Sequence, residues 1–105
     1  MIYHTMIVSF TDSIPDAELD QFLSDIEKLM RDSGHVQNAT SRRAIRVPAD
    51  DHSPVFAATA VVQFTLADVD ALNASFETPG VEEFIGHWQA KYPYRVVWVN
   101  HESLA

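Results

Sequence analysis

His4 is the side chain best placed to do chemistry. Along Ile2-Tyr3-His4-Thr5-Met6-Ile7-Val8-Ser9-Phe10, side chains alternate between the two faces of a pleated strand, so the even positions share a side. That side reads Ile2, His4, Met6, Val8 and Phe10. An imidazole among such neighbours is either a core histidine satisfied by one hydrogen bond or a group lining a ligand pocket. In a pocket it can take or give a proton near neutral pH. Ala58 and Ala60 fall on the same face of a later strand as Phe56, Val62 and Phe64, and they leave space opposite His4. With Phe22, Phe84 and Trp88 from helical segments, they outline an apolar cavity holding one polar group, the usual composition of a small-molecule site. The same alanines equally suit close packing of a helix on the sheet, and Trp88 and Trp98 equally suit core anchors.

The other chemically capable side chains do not assemble by spacing. His35, His52, His87 and His101 form no i,i+4 pair and no metal-ligand pattern with a nearby carboxylate, so no metal is expected. His87 stands four residues before Lys91, a helix-surface spacing. Asp50-Asp51-His52 reads as a solvated loop cluster, and Arg42, Arg43 and Arg46 as partners for acidic side chains. Three glycines in the chain exclude a Gly-rich phosphate loop, and Ser13, Ser24 and Ser33 lack a neighbouring His–acid arrangement. With no cysteine, disulfides and thiolate nucleophiles are excluded. No complete catalytic constellation and no cofactor motif emerges.

The elements that must position His4 follow from the hydrophobic pattern. After a first strand at 2–10, Thr11-Asp12-Ser13-Ile14-Pro15 supplies turn and capping residues. Leu19, Phe22, Leu23, Ile26, Leu29 and Met30 recur at spacings of three and four and predict an amphipathic helix over 15–32. Gly34 suits its left-handed C-terminal cap. A polar second strand is predicted at 36–47, an exposed loop from Pro48 to Pro54, and a strongly apolar third strand at 55–65. A second helical region over 67–91 is broken at Thr78-Pro79-Gly80, and Tyr92-Pro93 ends it before a last strand at 94–100.

This order, βαββαβ within one domain spanning 1–105, is the ferredoxin-like α+β plan: a four-stranded antiparallel sheet with helices on one face. The most apolar strands, the first and third, belong in the centre, and the three arginines of the second suit an edge. On the uncovered side Tyr3, Thr5 and Ile7 join Ala57, Thr59 and Val61. The last strand is apolar on both sides, with Val96 and Trp98 on one and Val97 and Val99 on the other. A half-solvated sheet carries polar residues there, so a homodimer with two sheets face to face is expected.

Composition narrows the partners. Fifteen acidic against seven basic residues give a net charge of −8, which argues against binding nucleic acid or anionic membrane surfaces. No apolar run approaches the roughly 20 residues that span a bilayer, and the absence of a leader pattern makes a cytoplasmic location the expectation.

On these residues the chain resembles the dimeric α+β barrel superfamily, specifically the stress-responsive A/B barrel group. The resemblance rests on the Ile2–Phe10 strand, with its histidine and terminal Phe, and on Glu77-Thr78-Pro79-Gly80-Val81-Glu82-Glu83-Phe84 followed by Val96-Val97-Trp98-Val99. It implies a dimer whose sheets form a barrel with helices outside and a pocket between each sheet and its own helices. Polyketide cyclases of this group work without a cofactor, and their strand-one histidine matches His4. Their second catalytic histidine lies in a His-Pro-x-His stretch that here reads Thr78-Pro79-Gly80-Val81, without an imidazole. Their pocket tyrosines fall near Ile26 and Ser75, and a pocket histidine near Ala58. Proton abstraction beside a carbonyl needs a base and a partner to orient it or stabilise the enolate, and one histidine does not supply both. The resemblance thus leads first to a barrel protein of unassigned activity, with a stress-related role and a pocket for a small hydrophobic ligand. Its second reading is a cofactor-independent enzyme of the cyclase or monooxygenase type using His4 as acid/base.

Overall fold

A computed structural model describes residues 1–52 and 58–105. Its elements are β1 (Ile2–Phe10), α1 (Asp16–Asp32), β2 (Asn38–Arg43), a 3-10 helix at Pro48–His52, β3 (Ala60–Leu66), α2 (Val69–Phe76), α3 (Val81–Lys91) and β4 (Tyr94–His101). The strands form one antiparallel sheet in the order β2-β3-β1-β4, the ferredoxin-like arrangement the pattern predicts. β1 is central: it pairs with β3 from Ile2↔Leu66 to Val8↔Ala60 and with β4 from Tyr3↔His101 to Phe10↔Tyr94.

Two strands are shorter than expected. β2 covers 38–43 rather than 36–47, and its flanks are held by single backbone bonds, Gln37 N–H to the Thr65 carbonyl and Ala44 N–H to the Thr59 carbonyl. β3 begins at Ala60 rather than Val55. Of the residues expected in its first half and in the preceding loop, 53–57 (Phe56 and Ala57 included) lie outside the described residues. The second helical region is two helices. α2 starts at Asp68, whose carboxylate accepts from Ala71 N–H at 2.8 Å. Gly80, at φ +96°, turns the chain into α3, a left-handed conformation that glycine alone adopts cheaply. Gly34, at φ +81°, follows α1 as its sequence position predicts.

The core lies between the sheet and the helices. The α1 stripe buries Leu19, Phe22, Leu23 and Met30 against Val8, Phe10, Val62, Phe64 and Leu66 of the central strands, and Trp88 of α3 closes it. Phe22 is its hub, with Phe10, Phe84, Trp88 and Tyr94 rings all 5.1–5.4 Å away. Arg43, on the edge strand β2, reaches back across α1: its guanidinium pairs with Asp20 and lies 3.1 Å from Asp16.

No helix of the described residues covers the opposite face of the sheet. There Val97 and Val99 of β4 are 58% and 55% exposed. Three polar residues of that face form a hydrogen-bonded chain. The Gln63 amide donates to Thr5 Oγ1 (3.0 Å), Thr5 is hydrogen-bonded to His101 Nε2 (2.7 Å), and His101 Nδ1 donates to the Glu102 carbonyl (2.6 Å). Tyr3 stacks on the His101 ring at 5.7 Å.

Candidate functional site

β1 carries His4 on its helix side, between Phe64 of β3 and Asn100 of β4 in the strand register. The residue is 2% exposed. Its Nδ1 lies 2.6 Å from Asn100 Oδ1. A carbonyl oxygen only accepts, so Nδ1 carries the proton and Nε2 the lone pair. Burial pulls the imidazole pKa below its ordinary 6.5, against the smaller upward pull of the Asn100 bond. His4 is therefore neutral at physiological pH, in one tautomer.

Aromatic rings surround it: Phe64 stacked at 5.9 Å, Phe76 edge-on at 5.4 Å and Trp98 tilted at 5.9 Å. These residues wall one end of a cavity of about 380 Å³ between the sheet and the helices. The sheet contributes His4, Met6, Val8, Phe64, Tyr94, Val96 and Trp98; α1 contributes Phe22, Ile26, Leu29 and Met30; α2 and α3 contribute Ser75, Phe76, Phe84 and Ile85, among others. Phe76, Ile85 and Trp98 are half-exposed and form its rim.

Among the described residues no charged side chain lines the cavity. The Ser75 hydroxyl is committed to the Leu72 carbonyl at 2.7 Å. Tyr94 sits at the other end of β4 from Asn100, packed between Phe10 and Phe22. Burial pushes its phenol up, opposed by the Gln89 side chain. With Nδ1 used, Nε2 is the ring nitrogen left for a ligand in this space, which His4 lines. Chemically the site offers an apolar, aromatic enclosure with one oriented hydrogen-bond acceptor that doubles as a base.

Of the residues expected at the pocket, His4, Phe22 and Phe84 line this cavity together. Trp88 is buried behind Phe22 and does not reach the lining. The register places Phe64, not an alanine, beside His4. Ala60 pairs with Val8 in the core, and Ala58 lines a separate surface groove with Phe10, Arg43 and Arg95. Asn100, which fixes the tautomer, was not anticipated, because its partner is 96 residues away and only the β1–β4 register joins them. Among the described residues no group of His, Asp and Glu is placed to hold a metal, and no helix is long and apolar enough to cross a membrane.

No protein-family model and no curated protein matches the sequence. Solved structures do. An Arabidopsis thaliana protein superposes with a TM-score of 0.80 at 11% identity, covering 100% of this chain and 97% of its own. A Dabb family protein with a ferredoxin-like fold from Mesorhizobium loti gives 0.74 at 18% identity, covering 99% and 97%. The hydroxynitrile lyase of Passiflora edulis gives 0.75 at 15% identity, covering 99% and 94%. The same fold occurs in SnoaB, a cofactor-independent oxygenase from Streptomyces nogalater, and in two bacterial proteins described as dimeric. The chain has the ferredoxin-like fold that these solved structures share.

Proposed function

We propose that this chain works as a cytoplasmic homodimer in which each subunit holds a small hydrophobic ligand in the cavity between its sheet and its helices. His4, Phe22 and Phe84 contribute to the lining, and no cofactor takes part. The observation that carries this reading is the cavity itself: about 380 Å³, within the usual range of small-molecule sites, and apolar except at His4 and the ends. A core of this size normally closes such space. A stress-related role follows the sequence resemblance.

The dimer rests on the uncovered face. Val97 and Val99 stand in water, while Thr5, Gln63 and His101 have already satisfied one another, so burial against a second sheet leaves few polar groups without partners. Two structures of this fold are described as dimeric, which supports the same arrangement.

A titration with the neutral fluorophore N-phenyl-1-naphthylamine tests the ligand reading. One saturable site per subunit is expected, abolished when Ser75→Trp fills the cavity; no saturable enhancement on the wild-type chain sinks it.

A second reading, a cofactor-independent enzyme with His4 as acid/base, is favoured by the neutral imidazole with its lone pair toward the cavity. Enzymes share the fold, the hydroxynitrile lyase and the cofactor-independent oxygenase among them. An enzyme loses turnover in His4→Ala with its fold intact, whereas a structural histidine chiefly loses melting temperature.

A further inference from the structure

The polarity of the imidazole nitrogen left unengaged narrows what the cavity accepts. Asn100 Oδ1 takes the Nδ1 proton at 2.6 Å, so the atom that His4 turns toward a ligand is an acceptor and not a donor. At that end Phe64, Phe76 and Trp98 supply ring faces and edges at 5.4–5.9 Å from the imidazole, and among the described residues no Lys or Arg lines the cavity to neutralise an anion. A carboxylate there brings two lone-pair oxygens against a third lone pair and loses its hydration without compensation. An ether or ketone leaves Nε2 desolvated and unpaired, which is the costlier side of hydrogen-bond exchange. A hydroxyl satisfies it.

We infer that the ligand is an uncharged, flat, largely apolar molecule whose hydroxyl donates to His4 Nε2, and that Asn100 is the positioning residue that sets this preference by holding the imidazole tautomer. The inference rests on the ligand-binding reading above and adds the chemical class to it.

Three probes of one skeleton test it: 1-naphthol, 1-methoxynaphthalene and 1-naphthoate, titrated calorimetrically at pH 7.5. The naphthol is expected to bind at least about tenfold more tightly than either analogue, because a site built around a hydroxyl rejects molecules lacking it. Asn100→Asp supplies the readout that a purely structural asparagine would not give. Its carboxylate accepts the same proton but favours the imidazolium, so Nε2 becomes a donor and the naphthoate gains on the naphthol. If the ether or the naphthoate matches the naphthol on the wild-type chain, the donor preference is overturned while the cavity reading stands. If none of the three binds, both fall. An unchanged order of affinities in a folded Asn100→Asp overturns the role given to Asn100.

Discussion

His4 and Asn100 stand opposite each other in the β1–β4 register, and the 2.6 Å bond between Nδ1 and Oδ1 fixes which imidazole nitrogen faces the cavity. The state of that ring is directly measurable. Nitrogen-15 spectra of the histidine side chains are expected to show His4 protonated at Nδ1 and bare at Nε2 at pH 7. Asn100→Ala should turn this into a tautomer mixture.

Removing the ring has a stability cost of its own. In His4→Ala a buried ring packed against Phe64, Phe76 and Trp98 is lost, and the variant is expected to lose about 1–3 kcal/mol. Urea denaturation of both chains gives the figure; an unchanged midpoint would mean that the neighbouring rings close the gap at no cost.

Because burial holds the His4 pKa below 6.5 in the folded chain, the unfolded chain binds the extra proton first as pH falls. Between 6.5 and the folded value the unfolded state therefore carries more protons, and stability declines with falling pH, by up to about 1.4 kcal/mol per pH unit. Below the folded value this contribution levels off. The pH dependence of unfolding in His4→Leu should lack that segment of slope, and identical slopes in the two chains would remove His4 as its source.

Val97→Asp is expected to hold the chain as a monomer without unfolding it. The residue is exposed within a subunit, so the substitution costs little there, but it sets like charges across a shared face. Light scattering behind size exclusion compares the two chains, and a variant that still elutes as a dimer would place the contact elsewhere.

Gly80→Ala is expected to destabilise by about 1–2 kcal/mol, since a side chain at φ +96° is strained. The added Cβ also meets Leu29 Cδ1 at 3.3 Å. Thermal unfolding measures it, and a variant as stable as the parent would show that the α2–α3 junction can relax.

Local chemistry made most of this legible beforehand. The period-two face of β1 put His4 under the helices, the α1 stripe named Phe22 as core, and Thr78-Pro79-Gly80 marked the break between α2 and α3. What stayed hidden depends on long-range register. Counting along β3 suggested alanines beside His4, whereas the pairing brings Phe64 there. Asn100 is the last residue of its predicted strand, and only the β1–β4 pairing sets it opposite His4. β2 is also shorter than its polar sequence suggests: among the described residues, those beyond Arg43 keep one backbone bond to the neighbouring segment, from Ala44 to Thr59 just before β3.

The Arg43 guanidinium, lashed to Asp16 and Asp20 on the neighbouring helix, also shapes how molecules of this protein approach each other. A bulky, already engaged cation guards the outer rim of β2, where an incoming chain would otherwise extend the sheet by strand addition. Encounters along that rim are discouraged, which steers the molecule away from runaway polymerisation through its sheet edge.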